Sequence, residues 1–190
     1  MRKTILFIAM SLDGYIADRE GKVDWLAGQD DGAEEENSYG AFEKGIDTVI
    51  MGWRTYHQVV TELSPERWVY DNLQSYVITH REHSSDFPAA DITFVQNSPC
   101  ALVRELKKRE GKDIWICGGA DIVRQLMGEG LIDRYHISVI PTILGGGIPL
   151  FHAMEREVKL CLAEVKNCNG IVELVYERRQ VGVKEREAGI

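Results

Sequence analysis

In the stretch Asp113-Ile-Trp-Ile-Cys117-Gly118-Gly119-Ala120-Asp121-Ile-Val-Arg-Gln-Leu126, an apolar run ends on two glycines and a helical pattern begins at once. Ile122, Val123, Leu126 and Met127 fall on one face at helical spacing. Residues without Cβ let a ligand approach the backbone closely. The helix start turns free amides and the positive end of its dipole toward the same spot, where a phosphate is stabilised. Strand, bare turn and helix start together suggest a nucleotide pyrophosphate site. The same glycines also suit a plain tight turn, and the rest of the chain must separate the two readings.

Working outward, apolar runs predict strands at Ile5–Met10, Thr48–Met51, Tyr76–Ile78, Ile92–Val95, Ile114–Cys117 and Tyr135–Ile140. Helical patterns lie between several of them: about Glu35 to Lys44, the stretch after Arg54, and Pro99–Arg109 with Ser98 as its cap. Strands alternating with helices predict an α/β fold, with a mostly parallel sheet covered on both faces. Val158–Lys166 and Ile171–Glu177 read as an antiparallel hairpin turning at Asn167-Cys-Asn-Gly170. One domain over residues 1–180 is expected, with 181–190 a polar, frayed tail.

Bulk properties narrow the partners. The chain has 190 residues, 44% hydrophobic and 27% charged, and a net charge of −8. That acidity argues against nucleic acid or an anionic membrane as the main partner, so a phosphorylated ligand needs a local basic pocket. The basic, then apolar, stretch Met1–Met10 is read as a buried first strand rather than a signal peptide, and no run is long enough to span a bilayer. Cys100, Cys117, Cys161 and Cys168 form no metal-binding pattern; Cys117 and Cys161 are expected to be buried, and the default compartment is the cytoplasm.

Four segments carry chemistry: Ala9-Met-Ser-Leu-Asp13-Gly14-Tyr15-Ile16-Ala17-Asp18, Val49-Ile-Met-Gly52-Trp53-Arg54-Thr55-Tyr56, Tyr76-Val-Ile-Thr79-His80-Arg81, and the Gly118-Gly119 turn. Three of them put small, hydroxyl or cationic residues after a strand, where open α/β sheets bind ligands. Neither a G-x-G-x-x-G fingerprint nor a Walker lysine loop is present, so a bound nucleotide uses another arrangement.

Ser11-Leu-Asp-Gly-Tyr-Ile-Ala17, Met51-Gly-Trp-Arg-Thr-Tyr56, Ile116-Cys-Gly-Gly-Ala120 and Leu144-Gly-Gly-Gly-Ile-Pro-Leu-Phe151 resemble the dihydrofolate reductase superfamily. The nearest branch is the reductase domain of the bifunctional riboflavin-biosynthesis deaminase-reductase and its stand-alone bacterial relatives. The resemblance implies a three-layer α/β/α fold, NADPH as cofactor, and a homodimer. It implies hydride transfer to a small heterocycle, a pterin or dihydrofolate-like compound or a ribosylaminopyrimidine. Ala9 and Ile16 would flank the nicotinamide, beneath a loop from Asp13 to Gly21. Gly52, Arg54 and Thr55 would hold phosphates, Thr79, His80 and Arg81 would surround the 2′-phosphate, and Gly118, Gly119 and Ala120 would cradle the pyrophosphate. A cis peptide between the two glycines is implied, and Ser138 would face the substrate.

Departures from the family accompany the matches. Trp53 stands where folate enzymes carry arginine, Tyr15 where riboflavin-pathway reductases show lysine, and no Asp-x-Pro follows Thr55. For the proton donor, one count along the chain gives Glu36 and another gives Asp30; Glu36 is preferred, with Asp13 also in the catalytic set and Tyr39 on the same helical face as Glu36. The competing view is that the acidic run Asp30–Glu36 is a solvated helix start. A protein that binds NADPH or an antifolate-like ligand without turnover is the alternative function.

Overall fold

The computed structural model describes residues 1–30 and 38–179. In chain order the strands are β1 (Thr4–Ser11), β2 (Tyr15–Ala17), β3 (Ile46–Gly52), β4 (Gln74–Ile78), β5 (Ile92–Val95), β6 (Asp113–Gly118), β7 (Arg134–Ile140), β8 (Ile148–Pro149), β9 (Leu160–Cys168) and β10 (Ile171–Arg178). The helices are α1 (Ser38–Glu43), α2 (Trp53–Gln58, continued by a π-helical turn at Val59–Leu63), α3 (Pro99–Leu106) and α4 (Ala120–Gly128). Eight strands form one sheet in the order β5-β4-β3-β6-β1-β7-β10-β9. Neighbours from β5 to β7 are parallel, and β10 and β9 are added antiparallel.

Period-two alternation sorts the strand residues into two helix-covered layers. Leu6, Ile50, Tyr76, Ile114, Ile116 and Ile137 face α3 and α4, whose Leu102, Val103, Leu106, Ile122, Val123 and Leu126 are buried against them. Val49, Met51, Val77 and Trp115 face the other way, with Tyr56, Val59 and Val60 of the α2 segment and Phe42 of α1. The sheet covered on both faces that the strand–helix alternation predicts, and the three-layer α/β/α fold that the resemblance implies, are therefore present. Each fully buried aliphatic side chain contributes about 1.5–3 kcal/mol. Sequence reading also placed the cap of α3 correctly: the Cys100 N–H donates to the Ser98 hydroxyl at 3.2 Å, with Pro99 in the first turn.

Several local expectations change. The hairpin turn is tighter than the four residues predicted, because β9 runs on to Cys168 and only Asn169 (φ 49°) and Gly170 (φ 75°) turn the chain. Two left-handed residues in succession match the right-handed twist of the strands they join. Cys161, expected to be buried, is exposed because β9 is an edge strand. Strands β2 and β8 form a separate small antiparallel pair, tying the Asp13–Gly21 loop to the glycine-rich loop before Phe151. At Gly147 (φ 146°) a Cβ would lie 2.1 Å from the Ala17 carbonyl oxygen, so only glycine allows the two loops to touch. Among the described residues no helix is long and apolar enough to cross a membrane. The expected frayed tail lies outside the described residues.

Candidate active site

Parallel strands β4, β3, β6 and β1 are consecutive in the sheet, so their carboxyl ends share one rim. This brings Gly52, Thr79 and Gly118 to the same edge although they are far apart in sequence. The contact is close: a Cβ placed on Gly119 would lie 3.6 Å from the Thr55 hydroxyl oxygen, and one on Gly118 would lie 4.0 Å from it. The Gly118–Gly119 peptide is cis, and Gly118 has φ 137°, a conformation that side chains resist. Helix α2 starts at Gly52 and α4 at Gly119, and neither start is closed by a side-chain cap. Their first-turn amides are thus available to an anion.

The segment after β4 is held against α2. Tyr56 donates its hydroxyl to the Asp86 carboxylate at 3.0 Å, and His83 stacks on Trp53 with ring centroids 3.6 Å apart. His83 is thereby part of the rim's packing. Thr79 is buried, its hydroxyl accepting the Arg81 N–H at 3.2 Å, which folds the chain so that His80 and Arg81 are exposed. Among the described residues neither Arg54 nor Arg81 is engaged in an ion pair. The residues present fit a nucleotide bearing several phosphates: bare backbone, two uncapped helix starts and, among the described residues, two arginines without an ion pair.

Beside the rim is a cavity of about 220 Å³, lined among others by Ala9, Tyr39, Ser138, Lys166 and Glu173. Its floor follows from register. Ala9 pairs with Ser138, Ser138 with Glu173 and Glu173 with Lys166, a transverse row across β1, β7, β10 and β9. The next row contains Phe7 and His136, whose rings meet edge to face at 4.5 Å. Leu26, Ser38 and Tyr39 form other walls.

Tyr39 has a buried hydroxyl with no hydrogen-bond partner among the described residues. Burial first, then the Glu43 and Cys117 charges, hold its pKa up to about 12, so it keeps its proton at neutral pH. The Cys117 thiol is pushed up to about 11 by burial, with the Tyr70 hydroxyl 3.9 Å away, and is a poor nucleophile.

Of the expected acids, Glu36 lies outside the described residues. Asp13 is exposed, and its carboxylate accepts from the Ser11 hydroxyl at 2.6 Å and from the Leu144 and Gly145 amides at 3.1 and 2.7 Å. The Ser11 hydroxyl leads the interactions that hold its carboxyl below the usual carboxylate value, which suits a bracket between loops and not a proton donor. Asp30, the other count, has its main chain tied to Asn169 at the hairpin tip. Ile16 sits on β2 and packs on the core next to this loop.

Sequence reasoning missed Glu173. Its carboxylate accepts the Ser38 hydroxyl and lies 3.1 Å from His136 Nε2, with 14% of its side chain exposed. The available signal was a lone carboxylate inside the apolar strand Ile171-Val-Glu-Leu-Val175, on the face shared with Ile171 and Val175.

Comparison with known proteins fits this geometry. Residues 2–172 match the family described as the RibD C-terminal domain. The chain belongs to this family. It is 41% identical over 179 residues to the uncharacterized protein YwjB of Bacillus subtilis (strain 168), covering 93% of this chain and 98% of that one. A putative riboflavin biosynthesis protein from Shewanella sp. PV-4 superposes with a TM-score of 0.82 at 27% identity, covering 94% of this chain and 99% of that one. The diaminohydroxyphosphoribosylaminopyrimidine deaminase/5-amino-6-(5-phosphoribosylamino)uracil reductase of Thermotoga maritima shares the fold, with a TM-score of 0.66 at 16% identity. This chain covers 57% of that longer protein and 94% of itself is matched. The RibD C-terminal family is reductase-like, and its sheet is that of the dihydrofolate reductase-like fold.

Proposed function

We propose that this RibD-type domain is a cytoplasmic, NADPH-dependent reductase of a small heterocyclic substrate, of the pterin or ribosylaminopyrimidine type. The observation that carries the reading is the continuity of the phosphate-compatible rim with the cavity along β1, where Ala9 lies between them. Bound NADPH would supply a hydride. Gly118, Gly119, Ala120, Gly52, Thr55 and Arg54 would seat its phosphates, while Thr79, His80 and Arg81 would surround the 2′-phosphate. A guanidinium pairs with phosphate in two parallel hydrogen bonds, whereas the plain ribose of NADH offers it no such partner. Ser138 and Tyr39 would orient the substrate over Ala9, and the apolar lining would exclude water.

Tryptophan fluorescence should be quenched by NADPH at concentrations where NADH has no effect, followed by loss of NADPH absorbance with dihydrofolate or 5-amino-6-(5-phosphoribosylamino)uracil. Equal quenching by both cofactors would contradict the reading. Quenching by NADPH with neither substrate turned over would favour the ligand-binding alternative.

The assembly proposed with this function is a homodimer. Strand β9 forms a sheet edge, and its Leu162 and Val165 are 56% and 52% exposed. An edge strand carrying apolar side chains is a template for pairing with another chain. Sedimentation velocity should give the dimer mass, and Val165→Lys should shift it toward the monomer; a monomeric wild type would remove the proposal.

A further inference from the structure

Reduction of a C=N or C=O bond requires a proton on the heteroatom as well as a hydride on carbon. Asp13 is committed to bracing loops, so the described part of the site needs another donor. We propose that Glu173, oriented by His136 and Ser38, delivers that proton, an assignment that rests on the reductase reading. Three features carry it. Glu173 shares the transverse row with Ala9, two strand spacings away, roughly 10 Å between main chains. A single ring fits between a group resting on Ala9 and a glutamate side chain reaching in from β10. Its carboxylate lines the cavity and is largely withdrawn from solvent. It also has a built support: the Ser38 hydroxyl donates to one oxygen, and His136 Nε2 lies against the other.

A carboxylate has about four acceptor sites. Ser38 and His136 occupy two and leave capacity directed at the cavity. The titratable groups around it are Lys166 and Cys168 of β9, His136 of β7 and Tyr39 of α1.

The step balances as follows. The substrate C=X bond would accept at carbon the hydride that bound NADPH supplies, its π pair would move to X, and X would take the proton that Glu173 delivers. The product is CH–XH with oxidised nicotinamide, and Glu173 recovers one proton from water at the cavity mouth. Glu173 is the catalytic residue; His136 is a positioning residue that fixes the carboxyl.

The test uses the full chain with NADPH and each of two probes, dihydrofolate and 5-amino-6-(5-phosphoribosylamino)uracil. Glu173→Gln keeps size and hydrogen bonding but cannot donate a carboxyl proton. It should lower kcat roughly 100-fold or more, while NADPH quenching of tryptophan fluorescence and Tm stay near wild type. Glu173→Asp should recover part of the rate. His136→Gln should lower kcat more than it raises KM and change the solvent deuterium isotope effect, which a purely structural role would leave alone. Unchanged kcat in Glu173→Gln overturns the proposal and leaves the reductase reading intact. Failure of wild type to bind NADPH or to turn over either probe removes the reductase reading, and the proposal with it.

Discussion

Replacing Tyr39 by phenylalanine removes one buried oxygen from a residue that lines the cavity and leaves the ring contacts with Phe7 (6.2 Å between centroids) and Trp115 (5.7 Å) in place. The lost hydroxyl is buried and makes no hydrogen bond among the described residues. Leaving a buried donor unsatisfied costs about 1–3 kcal/mol, so its removal should stabilise the protein by a similar amount. For a chain of this length each kcal/mol raises Tm by roughly 2–4 °C. The same substitution should harm function. If the hydroxyl waits for the substrate, losing one neutral hydrogen bond of about 0.5–1.5 kcal/mol raises KM for dihydrofolate roughly 2- to 10-fold. Scanning calorimetry and NADPH-coupled kinetics on Tyr39→Phe read both effects. A lower Tm would show that the hydroxyl has a stabilising partner, and a higher Tm with unchanged KM would show that it faces no ligand group.

Two further outcomes test the rim and the loops. Gly118→Ala forces a side chain into φ 137°, which costs about 1–3 kcal/mol in urea unfolding and should abolish NADPH quenching; Gly128→Ala, at a position with nothing within 4 Å, is the control that should do neither. Because the Asp13 carboxyl lies below its ordinary value in the folded state, its contribution is present at neutral pH and lost as pH falls through that lowered value. Hydrogen exchange at the Leu144 and Gly145 amides should therefore accelerate, beyond the intrinsic pH effect, as pH falls below the ordinary carboxylate range; equal protection in wild type and Asp13→Asn throughout would refute the bracket.

The layered fold was legible because its signals are local and periodic. Strands β1, β3, β6 and β7 alternate or run apolar over several residues, and Ser98-Pro99 marks a helix start on its own. Strands β2 and β8 have three and two residues, too few for any period to register, so their pairing escaped. The Trp53–His83 stack and the exposure of Cys161 depend on which segments lie side by side and on which strand ends the sheet. Neither is written in spacing.

The two halves of the site differ in the same way, for a physical reason. A phosphate-compatible rim is made of main-chain amides at a strand–turn–helix junction, so Gly52 and Gly118-Gly119 mark it within a few residues each. The cavity is made of cross-strand partners. Strands β3, β6 and β1 are packed by helices on both faces, and the antiparallel addition of β10 and β9 widens the sheet beyond them. On the α1 side of that addition, alternation places Ser138 and Glu173 among apolar residues, with Ser38 reaching in from α1. A one-residue slip in the β7–β10 register would turn Glu173 to the opposite face and break its contacts with His136 and Ser38. The polar contacts of the cavity are thus set by pairing between positions that are remote in sequence, which is why the lone carboxylate of the apolar run Ile171–Val175 did not show its His136 and Ser38 partners until the sheet was assembled.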